Sequence, residues 1–164
     1  MEKFTRSVVA SVMLVGGLLP VLGFVRGVSA QGDPAIGSWK LNVAKSKYVP
    51  GPAPKSNEVT ITAAGAGYHV VAKGEDAKGN PTSIDYTATF DGKDSPVIGA
   101  PAYDTTSLKR INSNTSEQTR KKEGKTVQTV TRKISADGKT MTVTTRGKDE
   151  SGHTVNIVAV YDRQ

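Results

Sequence analysis

His69 and His153 are the only two imidazoles in the 164 residues, and there is no cysteine. That pair of facts excludes disulfides, thiolate zinc sites, iron–sulfur clusters and thiol nucleophiles. No H-x-x-x-H spacing occurs; His69 falls on the solvent side of its strand pattern and His153 adjoins a turn glycine, so both read as solvated. Glu75-Asp76 and Asp149-Glu150 are acidic pairs in turns, with too few oxygens at fixed spacing for a calcium loop. Gly124-Lys125-Thr126 and Gly138-Lys139-Thr140 end like phosphate-binding loops. The earlier glycine each needs is replaced, by Thr119 and Lys133, and a strand follows where a helix should. There is no G-x-S-x-G elbow, and neither histidine sits in a triad context. Glu58, Asp85 and Glu117 are strand carboxylates with nothing to single them out for glycosidic chemistry. The expectation is a protein that is not an enzyme, with no cofactor and no metal.

The elements that must position any site begin after residue 30. Lys3 and Arg6 precede an uncharged, mostly apolar run from Ser7 to Val25, and Val28-Ser29-Ala30 supplies a small-x-small cleavage pattern. Residues 1–30 therefore read as a secretory signal peptide cut after Ala30, with an uncleaved membrane anchor as the alternative. Gly16, Gly17, Pro20 and Gly23 interrupt the apolar run and favour cleavage. The whole chain carries 22 basic and 15 acidic residues, a net +7; residues 31–164 carry 19 and 14, a net +5. An exported basic domain is expected to meet anionic envelope polymers, not nucleic acid, and to make no stable membrane insertion once cut. Its expected location is periplasmic or secreted, and it is expected to be a monomer.

Residues 31–164 read as one all-β domain. Turn signals recur at 65–67, 78–80, 91–93, 112–114, 123–125, 137–139 and 150–152, mostly 11–14 residues apart, which is one strand and one hairpin loop each time. Between them Val, Ile, Thr and Tyr alternate with polar residues, as in Ile84/Tyr86/Ala88/Phe90 and Val155/Ile157/Ala159/Tyr161. The pattern predicts about ten strands, near 36–42, 57–64, 67–74, 81–90, 95–98, 104–112, 114–122, 126–135, 140–148 and 153–163. Such a meander loses its edges by closing into an antiparallel up-and-down β-barrel; a two-sheet β-sandwich is the alternative. Pro50, Gly51, Pro52 and Pro54 in segment 43–56 forbid helix and favour an extended linker.

From Asn112 to Thr126 there is no aliphatic side chain, yet Thr115, Glu117, Thr119 and Lys121 alternate as a strand does. A strand polar on both faces lies either against a wet interior or at a solvent-exposed part of the sheet.

The two ends of this domain carry a resemblance. Gly37-Ser38-Trp39-Lys40-Leu41-Asn42 resembles the G-x-W opening of the calycins, which include the lipocalins and fatty-acid-binding proteins. Val130 to Ile134, the Asp137-Gly138-Lys139 turn and the closing Val160-Tyr161-Asp162-Arg163 resemble the last strands of the fatty-acid-binding proteins. The resemblance implies a barrel in which Trp39 plugs the closed end and Gly37 lets neighbouring backbone approach. In that family two arginines and a tyrosine hold the ligand carboxylate. Arg132 and Tyr161 match one arginine and the tyrosine, whereas Ala159 stands where the second arginine would be, and segment 43–56 replaces the helical lid. Arg132 shares the more apolar face of its strand with Gln128, Val130 and Ile134, so an inward Arg132 needs an anion or water beside it; the other reading puts it in a surface run with Arg120, Lys121, Lys122, Lys125 and Lys133. Trp39-Lys40-Leu41-Asn42, Ala44 to Tyr48, Asp91-Gly92-Lys93-Asp94 and Ser135 to Thr140 also resemble a group of small exported bacterial proteins, over most of residues 31–164.

Together these readings predict an exported, non-enzymatic barrel for a small hydrophobic or amphiphilic ligand, with an anionic end held by Arg132 and Tyr161. Tyr86, Phe90, Val130 and Ile157 are expected to line the cavity. The alternative is a structural or interaction protein of the cell envelope whose barrel is filled.

Overall fold

Strand β1 (Gly37–Leu41) pairs on both sides, with β3 (Ser56–Ala64) through Trp39↔Val59 and with β11 (Thr154–Arg163) through Trp39↔Arg163 and Leu41↔Tyr161. That double pairing closes a sheet whose other members follow in chain order: β4 (Gly67–Glu75), β5 (Pro81–Thr89), β6 (Ser95–Ile98), β7 (Thr105–Asn112), β8 (Thr115–Lys122), β9 (Lys125–Ile134) and β10 (Thr140–Lys148). Every ladder is antiparallel, so the chain is a closed up-and-down barrel, and closure removes the sandwich alternative. This computed structural model describes residues 32–164, so the expected signal peptide and its cleavage site lie outside the described residues.

Segment 43–56 is not the linker its prolines suggest. Val43–Lys45 form one 3-10 turn and Lys47–Val49 a further short strand, β2, which pairs with Asn156 to Val158 of β11. Strands β1 and β2 thus lie end to end along the same edge of β11. Asn42 makes the interruption tolerable: its backbone N–H donates to Val160 O (2.8 Å), while its side-chain oxygen caps the turn by accepting from Lys45 N–H (3.1 Å). Ser46 Oγ then accepts from Val160 N–H at 2.9 Å, so neither backbone group of Val160 is orphaned. The prolines exert their effect only beyond Val49, where the strand stops.

The hairpins follow from turn chemistry. Glu123 and Gly124 both have positive φ (49° and 74°), the two-residue geometry that matches strand twist. Asp137 Oδ1 accepts from Lys139 N–H (3.0 Å) and Asp149 Oδ1 from Ser151 N–H (2.9 Å), closing their loops locally.

The core gathers where β1, β3, β4, β5, β10 and β11 face inward: Trp39, Leu41, Val59, Ile61, Tyr68, Val70, Ala88 and Met141 are all buried. Trp39 is fully enclosed and its ring N–H donates to Ala35 O at 2.9 Å. Arg163 stacks 4.2 Å over that ring. A Cβ on Gly37, whose φ is +139°, would stand 2.5 Å from Arg163 Nη1, so this glycine makes room for a guanidinium and not for neighbouring backbone. Nearby, Asp33 accepts from Arg110 and from the Tyr68 hydroxyl (2.6 Å). Arg110 lies 4.0 Å over the Phe90 ring, which meets Tyr68 edge-on at 4.8 Å.

Candidate ligand-binding site

The other side of the interior is polar. Thr106 of β7, Ser116 and Gln118 of β8, Gln128 and Arg132 of β9, and Thr145 of β10 are all buried. The strand without aliphatic side chains, β8, therefore turns Ser116, Gln118 and Arg120 toward the interior, while Glu117 and Lys121 face outward. A cavity of about 100 Å³ lies between the polar and apolar walls. Val59, Val70, Ile84 and Met141 form its apolar side; Arg120, Arg132, Asn57, Tyr86, Tyr103 and Tyr161 bring polar atoms to it. A larger open groove of about 410 Å³ runs past Gly32, Pro34, Asn114 and Ser135, where Lys133 is the one ionisable lining residue among the described residues. Three buried polar atoms without a hydrogen-bond partner, Asn57 Oδ1, Arg120 Nε and Arg132 Nε, belong to residues lining the smaller cavity, and so the chemistry lies there.

Arg132 is 7% exposed and Tyr161 is 7% exposed, which places Arg132 inside the barrel and not in a surface run. Arg132 Nη2 donates to the Tyr86 hydroxyl across a long 3.4 Å, and its buried Nε has no partner. Arg120 Nη1 donates to Gln128 Oε1 (3.0 Å), whose amide nitrogen donates in turn to Lys148 O (2.8 Å). The Arg120 guanidinium stacks 4.5 Å over Tyr103, and its Nε is also buried without a partner. Among the described residues neither arginine forms an ion pair, and no carboxylate lines the cavity. Burial raises the hydroxyl pKa values of Tyr103 and Tyr161, and the positive field of Arg120 and Arg132 only partly offsets it. The Tyr103 and Tyr161 phenols therefore stay protonated near neutral pH and present O–H donors.

Of the residues expected at the ligand, the fold brings Arg132, Tyr161 and Tyr86 together. It does not bring the other three. Phe90 is committed to Tyr68 and Arg110; Val130 is buried on β9 between Gln118 and Thr145, outside the cavity wall; Ile157 is half-buried opposite Tyr48 of β2. The strand carboxylates do not converge, because Glu58 faces Lys40 at 4.0 Å on the outside and Asp85 holds His69 at 2.9 Å. His153 pairs with Asp149 in its turn at 3.3 Å.

Arg120 and Tyr103 are the functional candidates that strand patterning missed. The hairpin at Glu123-Gly124, extended without interruption, would set Arg120 opposite Val127 and turn it outward. A bulge at Val127 sets Arg120 opposite Gln128 instead, while Lys121 stays opposite Thr126. One inserted residue flips the face of all of β8 beyond it. Tyr103 sits in the β6–β7 loop, where period-2 reasoning assigns no direction.

Fold and cavity define the class: a closed antiparallel β-barrel with a small, positively charged interior. No family model and no curated protein matches the sequence, and neither comparison supports the likeness to small exported bacterial proteins. Among solved structures the chain is similar to zebrafish ileal bile acid-binding protein complexed with cholic acid, over 80% of this chain and 99% of that one, at 10% identity and a TM-score of 0.47.

Proposed function

We propose that the protein is an exported, non-enzymatic binding barrel whose ligand places an anionic end on Arg132 and Tyr161. The observation that carries this reading is the pair of guanidiniums inside the barrel with no carboxylate beside them. Arg132 is buried with one long hydrogen bond, which is unfavourable for a cation, and half-buried Arg120 adds a second positive charge to the same cavity, so the interior favours an anion. The apolar wall of Val59, Val70, Ile84 and Met141 gives the remainder of the ligand its surface. Purification from the native host followed by mass spectrometry of the extracted small molecules tests this directly. A stoichiometric anionic molecule in the wild type, lost from Arg132→Gln, is expected; a wild-type preparation carrying none, and taking up none from a host extract, overturns it.

The cavity volume favours a second reading. About 100 Å³ is well below the roughly 300–1,000 Å³ of pockets for drug-sized ligands. A filled barrel of the cell envelope, working through its basic exterior, is supported by that figure. Its signature is retention on envelope fractions that weakens as salt rises.

A further inference from the structure

Resting on the binding reading above, we infer that Arg120 is the second cation of this site, and that Arg120 and Arg132 together take a compact oxyanion: a carboxylate or phosphate group bearing at most a short chain.

Three observations lead there. The first is convergence. In the β8–β9 ladder Arg120 stands opposite Gln128 and Arg132 opposite Ser116, so the two positions lie four residues apart along the sheet, about 13 Å. Both side chains nevertheless line the same cavity, and both act on the Tyr103 and Tyr161 hydroxyls.

The second is the way each guanidinium is held. Arg120 is fixed by Gln128 on one nitrogen and by Tyr103 against its face; Arg132 is fixed by Tyr86. Each keeps a buried Nε–H with no acceptor. Anchored cations with a free donor are what an oxyanion needs, because charge-assisted hydrogen bonds are about twice as strong as neutral ones. Asn57 Oδ1, buried and also unpartnered on the far wall, suits a ligand hydroxyl or a protonated oxygen.

The third is size. A cavity of about 100 Å³, well below the roughly 300–1,000 Å³ of pockets for drug-sized ligands, suits one small oxyanion and not a long alkyl chain.

The test titrates the wild-type chain with inorganic phosphate, with propionate and with oleate in low-chloride buffer, by calorimetry and by NMR of the arginine Nε–H signals. Binding of phosphate or propionate with both Nε–H signals shifting together is expected, and whichever anion binds more tightly identifies the source of the oxyanion. Arg120→Gln is expected to weaken that binding tenfold or more, and Arg120→Lys to retain part of it. Circular dichroism verifies that the variants fold; should Arg120→Gln not fold, the wild-type Nε–H signals still decide. Movement of the Arg132 signal alone, or full affinity in Arg120→Gln, overturns the role of Arg120. Oleate binding with no response to the small anions overturns the compact-oxyanion class and leaves the binding barrel standing. Silence toward all three anions, with no co-purified molecule, overturns both.

Discussion

The Arg163 guanidinium lies 4.2 Å over the ring of Trp39, and its Nε and Nη1 donate to Gly138 O (2.6 Å) and Ile36 O (2.9 Å). One side chain at the end of the last strand thus ties together the residues before β1, the β9–β10 turn and the ring that fills this part of the core. Arg163→Ala removes the stacking and leaves those carbonyls without their donor. A desolvated cation–π contact contributes up to about 2 kcal/mol and an unmet buried acceptor costs about 1–3 kcal/mol, so the expected loss is about 3 kcal/mol. Urea unfolding followed by the fluorescence of Trp39, the single tryptophan, measures it. A loss below about 0.5 kcal/mol, the scale of an ordinary surface change, contradicts the assignment.

Gly147 and Gly138 make a second comparison. Both have positive φ, +142° and +70°. A Cβ on Gly147 would lie 2.1 Å from Val127 O, against backbone that cannot turn aside, whereas a Cβ on Gly138 meets nothing within 4 Å. Gly138→Ala is therefore expected to cost about 1 kcal/mol, the conformational term alone. Gly147→Ala is expected to cost about 3 kcal/mol or more, from strain and displaced backbone together. Because Gly147 stands opposite Gln128, which holds Arg120, the same variant is expected to weaken anion binding. Equal destabilisation of the two variants refutes this account.

These two glycines also show what was legible in the sequence and what was not. Period-2 stripes and Asp-Gly-Lys turns located ten strands, because each strand of a barrel needs an inward face and each short hairpin needs a residue tolerant of positive φ. Strand β2 was hidden by Pro50 and Pro52, which act on their own positions and leave Lys47 to Val49 free to pair. The site was half legible. Arg132, Tyr86 and Tyr161 lie on regular strands where parity gives direction. Arg120 lies beyond a bulge, and nothing in Thr126-Val127-Gln128 announces that Val127 is the inserted residue. Direction along a strand is inferred from register, and register is a property of two strands and not of one.

Acid sensitivity follows from the turn aspartates. Hydrogen bonds from Asn80, Lys93 and Ser135 hold the carboxyls of Asp76, Asp91 and Asp137 below the ordinary value of about 3.9. At Asp33 burial works against ionisation, but the bonds from Arg110 and Tyr68 outweigh it, and this carboxyl too is lowered. A carboxyl whose folded pKa lies below its unfolded one stabilises the fold while charged. That contribution is complete above the unfolded value and is lost as pH falls through the folded one. The urea midpoint is expected to be level from about pH 7 to 5 with respect to these groups and to fall below about pH 4. Asp33→Asn is expected to lower the midpoint at pH 7 and to reduce the slope below pH 4. A midpoint that rises on acidification contradicts the assignment.

The strongest prediction separates stability from binding at Arg132. This guanidinium is buried, makes one long hydrogen bond to Tyr86 and, among the described residues, faces no carboxylate. Burying a cation with so little compensation is unfavourable, and replacing buried charge by an apolar side chain of similar length is often stabilising by about 1–4 kcal/mol. Arg132→Met is therefore expected to raise the unfolding free energy of the ligand-free protein by about 1–2 kcal/mol while abolishing anion binding. Methionine suits the test because its flexible thioether fills the space without a polar group, and Met141 already lines the same cavity. A residue whose role is structural behaves in the opposite way: its removal lowers stability whether or not a ligand is present. A loss of stability in Arg132→Met, measured by urea unfolding in anion-free buffer, would falsify the view that the arginine is kept for its ligand.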